Sequence, residues 1–160
     1  MEVGEIIDQV YQFEVDKTVK ADLTHWCAQD DELDYSARWR MISMMNSTIS
    51  LDSRLNSIEI FNLRKNQVLV AERSGAAIRE TGDGLTLWNE RSNEAQTNLV
   101  FLRTEREIVA AHQIRRFEDK EPLAVIMLHY RPYHLQRILS EIKTTPADTL
   151  LLFNDQNQLI

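Results

Sequence analysis

The spacing of apolar residues changes once along this chain, near Asn56, and that change limits the folds open to it. Upstream, apolar side chains recur every three or four residues: Val3, Ile6, Ile7, Val10 and Phe13, then Val19, Leu23, Trp26 and Cys27. This is the stripe of an amphipathic helix. Nothing breaks it before about residue 28, so the expectation is one rod roughly 38 Å long at 1.5 Å per residue. Asp30, Asp31, Glu32 and Asp34 interrupt it, with Asp34 as the N-cap of a second helix. That helix has Tyr35, Trp39, Ile42, Met45 and Ile49 on one side, widened by Met41 and Met44. A methionine-rich stripe of this kind is read as core packing rather than as a docking groove.

Downstream of Asn56 the period is two. Short strands are expected at 57–62 and 67–71, joined by the polar turn 63–66. Residues 72–84 hold Gly75, Gly82 and Gly84, three of the four glycines, and read as loop, followed by a short helical turn at 86–91. Longer strands follow at 98–103, 107–117 and 123–131. Pro132 opens a helix with Leu135, Ile138, Leu139 and Ile142, stopped before Pro146. Residues 148–154 read as a buried strand, 155–157 as a turn, and Leu159 and Ile160 as a second arm cut short. That unfinished hairpin suggests a piece of a longer protein. The fold class expected is α+β, with long N-terminal helices packed on a five-stranded antiparallel sheet. The organisation is helices over 1–56, a sheet over 57–131 with a lid insertion at 72–96, a connecting helix at 132–146 and the start of a second unit at 147–160. A chain of 160 residues buries about two-thirds of its unfolded surface, enough for one core.

Charge excludes some functions. Residues 1–34 hold ten acids against Lys17 and Lys20, whereas the other 126 residues hold fifteen acids and sixteen bases. An acidic chain without a basic stripe is a poor partner for a phosphate backbone, so no nucleic acid is expected. An anionic membrane surface is disfavoured for the same reason. The lone Cys27 has no internal disulfide partner.

Catalytic and metal motifs are missing: no Gly-rich phosphate loop, no G-x-S-x-G and no H-E-x-x-H. His129 and His134 are five apart, a spacing that suits neither a helix face nor a strand face. Cys27 and His25 lie two apart on a helix and point to different faces, so Cys27 reads as a small buried hydrophobe. The acids at 30–34 resemble part of a calcium loop but lack its glycine and terminal glutamate. No enzyme, cofactor or metal is expected of this chain.

The strands suggest a pocket instead. Centring the last hairpin on Asp119 and Lys120 sets His112 opposite Met127, Ala110 opposite His129 and Val109 opposite Tyr130. One face then collects Val100, Leu102, Val109, Ala111, Ile126, Leu128 and Tyr130, and is expected to meet the long helices. The other collects Phe101, Arg103, Ala110, His112, Met127, His129 and Arg131, apolar walls with a few polar groups, under a lid bearing Trp88. The ligand-binding candidates are therefore Trp88, Phe101, Arg103, His112, His129 and Arg131. Arg103 and Arg131 as a pair suit an anionic or polyhydroxylated small molecule. A one-residue slip in register would exchange the two faces.

Helix–helix–SIEIFN–turn, the lone Trp88 in an insertion, LVFLRTEREIVAAHQIRRF, PLAVIMLHYRPYHLQRIL and LLLFNDQNQLI follow one another in a familiar order. The arrangement resembles the extracytoplasmic double-Cache (PAS-like) sensor region of bacterial membrane histidine kinases that pair with AraC-type response regulators. The resemblance covers nearly the whole chain and rests on pattern and order. It implies a ligand-sensing domain without catalysis of its own, on the extracytoplasmic side of the bacterial cell membrane. Flanking transmembrane helices in the parent protein and an unknown small-molecule ligand are implied too. Family members that bind amino acids carry a Tyr, Arg, Trp-Tyr and Asp pattern around the pocket. This chain has no Trp-Tyr pair and no Asp at the matching strand end, so only Trp88 transfers. Two long helices pairing in parallel would bring two acidic segments together, so a weak homodimer at most is expected. A chemoreceptor, a membrane-bound AraC-type regulator or a cytoplasmic PAS-like interaction module are the alternative parents.

Overall fold

The computed structural model describes residues 3–27, 31–80, 85, 86, 88, 89, 99–103 and 107–131, with the backbone alone at 3, 31–34, 79, 80 and 101–103. The helix expected at 132–146, the second unit at 147–160 and most of the 72–96 lid beyond Glu80 lie outside the described residues. Three helices, α1 (Val3–Val15), α2 (Lys17–Cys27) and α3 (Asp31–Leu51), precede six strands. The strands are β1 (Leu55–Asn62), β2 (Gln67–Glu72), β3 (Gly75–Glu80), β4 (Leu99–Arg103), β5 (Ile108–Arg115) and β6 (Pro122–Tyr130). They form one sheet in the order β3-β2-β1-β6-β5-β4, antiparallel at each pairing. The fold is α+β, with helices packed on an antiparallel sheet, as the change of period implies.

The single N-terminal rod is corrected to two helices, broken at Asp16. Its amide donates to the Gln12 carbonyl at 3.1 Å, closing α1. Its carboxylate accepts from the Thr18 and Val19 amides at 2.8 and 3.0 Å, the geometry of an N-cap for α2. The break lets α1 lie on β5 while α2 packs against α3. A straight rod has no such option. Asp34 is likewise inside α3 rather than at its N-cap position, because that helix starts at Asp31.

α3 buries Ala37, Met41, Met45 and Ile49, at spacings of four. Tyr35 and Trp39, expected inward, are exposed. Two residues advance about 200° around a helix, so a stripe through Ala37 and Met41 puts Tyr35 and Trp39 on the opposite side. Ala37 lies one turn before Met41 on the side that meets α2, where a bidentate Arg40–Asp22 pair (Nη2 to Oδ1 2.6 Å, Nε to Oδ2 3.1 Å) joins the two helices. Met41 and Met45 are core residues, as read.

A sixth strand corrects the loop expected at 72–84. β2 and β3 are joined by the two-residue turn Arg73–Ser74, and Gly75 follows at φ +147°, a conformation L side chains rarely adopt. β3 sits at the sheet edge, where weak strand formers such as Ala76 and Ala77 are tolerated. The β1–β2 turn falls where expected: Asn62 accepts from the Arg64 and Lys65 amides at 2.9 and 3.0 Å, and Asn66 takes positive φ. Asn62 also donates to the Trp26 carbonyl, and the buried Cys27 thiol lies 3.4 Å from the Leu123 carbonyl. Cys27 therefore seals the end of α2 on the sheet.

Helix and sheet enclose the main core, with Ile6, Val10, Phe13, Leu23 and Trp26 against Ile58, Ile60, Ile126 and Leu128. Each such buried side chain contributes roughly 1.5–3 kcal/mol. An Asp16→Ala substitution separates the two descriptions of the N-terminus by sign. With Asp16 as the cap, thermal denaturation shows a loss of about 1 kcal/mol, a midpoint lower by roughly 2–4 °C. In a continuous helix, alanine would raise the midpoint.

Candidate functional site

Alternation along β6 divides the sheet into two faces. Ala124, Ile126, Leu128 and Tyr130 lie beneath the helices, whereas Val125, Met127 and His129 take the other side. β1 adds Phe61 opposite Val125, Glu59 opposite Met127 and Ser57 opposite His129. β5 pairs His112 with Ile126, Ala110 with Leu128 and Val109 with His129. This is one residue out from the pairing expected from the sequence. A bulge between Ile114 and Arg115, with Lys120 at positive φ in the turn, absorbs the odd residue.

The slip exchanges the β5 and β4 contributions, as any slip of one must. Val109, Ala111 and Val100, expected under the helices, belong to the second face, and Ile108, Ala110 and Ile114 take the helix side. Ile126, Leu128 and Tyr130 are where expected. The second face is not open to solvent. Trp88, 2 % exposed, closes over it in a cluster with Phe61, Val70, Val109, Val125 and Met127, and Leu85 packs alongside. Helical backbone at 85–86 and 88–89 accords with the short turn expected there.

At one end of this face the apolar surface gives way to a polar clamp. His129 Nδ1 lies 2.8 Å from Glu107 Oε2, and Nε2 lies 3.1 Å from Glu59 Oε2. Asn56 donates to the other Glu107 oxygen. Burial lowers the affinity of His129 for its proton, but the Glu107 and Glu59 carboxylates outweigh it and hold the pKa at about 9. Glu107 is shifted below the ordinary carboxylate range, chiefly by its bond to His129. The imidazole thus sits between two acidic side chains, Glu107 and Glu59.

Of the six candidates, Trp88 and His129 share the second face. His112 does not: it is buried under α1, with the Tyr11 ring edge-on at 5.0 Å and Glu14 Oε2 3.3 Å from Nε2. It anchors a helix. Phe101 pairs with Ala110 and Arg103 with Ile108, both residues of the helix-side set. Arg131 is exposed one position beyond Tyr130, which is itself opposite Ile108, so the expected Arg103–Arg131 pair is not on a common strand register. Sequence reasoning missed Glu59, Glu107 and Asn56. Glu59 left a signal, as the single charged residue inside the apolar strand 57–62. His134 lies outside the described residues, and among those described no cluster of His, Cys, Asp and Glu suits a metal ion. No described helix is long and apolar enough to cross a membrane.

No protein-family model and no curated sequence matches the chain. Solved structures do. The sensory domain of the Campylobacter jejuni chemoreceptor Tlp3 with isoleucine bound aligns over 98 % of this chain and 63 % of its own, at 15 % identity and TM-score 0.57. The ligand-binding domain of the same receptor with 4-methylisoleucine aligns over 98 % and 62 %, at 14 % identity and TM-score 0.60. A domain of a putative sensory box/GGDEF family protein from Vibrio parahaemolyticus aligns over 89 % and 58 %, at 10 % identity and TM-score 0.50. These three are described by sensing or ligand binding rather than by catalysis. The chain spans less than two-thirds of their length. At such identity the likeness is one of fold.

The clamp makes stability depend on pH in a defined direction. The His129 pKa is raised from 6.5 to about 9, so its contribution is complete below 6.5 and is lost as pH climbs through 9. Glu107 acts oppositely, its contribution fading as pH falls through its depressed pKa. Thermal melts between pH 6.5 and 9.5 should show a progressive loss amounting to about 3 kcal/mol at most. His129→Gln should flatten that part of the curve, and an unchanged slope would remove His129 as its cause.

Proposed function

We propose that this chain is a ligand-sensing domain on the extracytoplasmic side of a bacterial membrane. Its ligand is a small molecule bound between the second face of the sheet and the Trp88 segment. The observation that carries this reading is the closure of that face by Trp88, with a polar clamp at its end: apolar walls and a few oriented charges. The alignment of 98 % of this chain with part of solved sensory domains supports it. The parent is read as a sensor histidine kinase of the type that pairs with AraC-type response regulators. A chemoreceptor parent is favoured equally by the Tlp3 neighbours.

Trp88 and His129 line the proposed site, joined by Glu59 and Glu107. The acidic side chains of the clamp suit a ligand with an ammonium group, as in the amino acids named in the Tlp3 complexes, rather than the anion that an arginine pair would take. Signalling then requires the ligand to distinguish two arrangements of the helices. Moving a receptor from mostly off to mostly on takes about 5.5 kcal/mol of differential binding. α1, lying on β5, is the element that carries the shift.

A thermal-shift panel of amino acids, small amines, small carboxylic acids and sugars tests this. Amino acids or amines should raise the melting point, and Glu107→Gln should abolish that rise while Arg103→Ala leaves it intact. A rise produced by acids or sugars and removed by Arg103→Ala would restore the anionic reading. No shift from any class would defeat the sensor assignment for this face.

A further inference from the structure

The outer side of α3 is large at one end and small at the other. Tyr35 and Trp39 are 67 % and 65 % exposed, whereas Trp26 and Trp88 are both buried. Ser43, Ser47 and Ser50, with Ile42 and Asn46, line a cleft of about 390 Å³ bounded by Trp39 at one end and at the other by Leu51, itself 88 % exposed. No acid occurs between residues 35 and 51, in a chain of net charge −7. We propose that this face docks a second copy of the chain, α3 against α3, antiparallel about Ser43.

Size and charge independently select that orientation. A two-fold axis at Ser43 sets Trp39 level with Ser47 of the second copy, Ser36 level with Ser50 and Tyr35 level with Leu51. Each indole then enters the serine-lined cleft opposite, an isologous contact made twice. A parallel pair would instead meet indole to indole at one level and leave the serines facing one another across a gap. The first turn of α3 carries Asp31, Glu32 and Asp34. At the far end the exposed Arg73, donating to the Asp52 and Leu55 carbonyls at 3.0 and 3.2 Å, sits beside Glu72 and the Asp52–Arg54 pair, so that end carries no excess of acid. Antiparallel docking keeps the two acidic turns apart and opposes the helix dipoles, whereas parallel docking sets acid on acid.

The area sets the strength. Covering Tyr35, Trp39 and Leu51 on both copies removes on the order of 1,000 Å² from water, the lower edge of specific interfaces. The dimer is therefore weak and concentration-dependent.

Sedimentation equilibrium of the 160-residue chain from about 10 µM to about 1 mM should show the apparent mass rising toward twice the monomer's. Over the same range the exposed Trp39 should become less accessible to acrylamide. Trp39→Ser and Ser47→Arg, both on the solvent side of the helix, should each abolish the rise with the far-ultraviolet circular dichroism unchanged. For orientation, Tyr35→Cys copies mixed with Leu51→Cys copies should yield the crossed disulfide in preference to either self-linked pair. A monomer throughout, a dimer indifferent to both variants, or preferential Tyr35→Cys self-linkage would each overturn the proposal. So would shielding of Trp39 by phosphatidylcholine vesicles in a chain that stays monomeric, which would make the face lipid-binding.

Discussion

The pairing of β1 with β6 at the centre of the sheet decides what every other side chain meets. The two strands come from opposite ends of the described sheet sequence, and their register sets Ile58 and Ile60 with Leu128 and Ile126 beneath the helices. It also sets Glu59, Phe61, Val125, Met127 and His129 on the far side. Because successive strand residues alternate, both faces are determined together. Neither can be adjusted alone. The main core and the proposed ligand site are thus two consequences of one register.

Several polar groups buried in this arrangement have partners that tie elements together. Lys20 reaches Glu14 at 2.8 Å and lies 3.7 Å over the Phe117 ring, linking α1, α2 and the end of β5. The Asp52–Arg54 pair, with Glu5 3.3 Å from Arg54, joins the α3–β1 turn to α1, and Tyr130 donates to Gln9 at 2.7 Å close by. Burial raises the Tyr130 pKa well above its ordinary value, so the phenol stays a donor. α1 is therefore held by polar contacts at both ends as well as by Ile6, Val10 and Phe13.

The His129 clamp differs in kind. Its histidine is charged across the physiological range, so it is a fixed electrostatic feature rather than a switch near neutral pH. In the proposed site, fixed charge at the end of an apolar face is what would orient a ligand.

Much of this was legible in the residues themselves. The three-to-four spacing through Phe13, Leu23 and Trp26 marks helix, and the alternation in 57–62 and 123–131 marks strand, because those periods are properties of the backbone that neighbours do not alter. Trp88 as the insertion aromatic over the sheet also follows from the order of segments. Other features depend on contacts distant in sequence. Asp16 divides the N-terminal helix because α1 and α2 have different surfaces to cover. The inward side of α3 runs through Ala37 rather than Tyr35 because α2 meets it there. β3 forms because β2 offers an unpaired edge. The register of β5, and with it the placement of His112 on the helix side and His129 with Glu59 and Glu107 on the other, turns on a bulge at Ile114 and Arg115. Local sequence sets the type of each element through its own periodicity. Which face each presents, and so which side chains share a site, was decided by tertiary pairing, since a shift of one residue leaves the local pattern intact and reverses every neighbour.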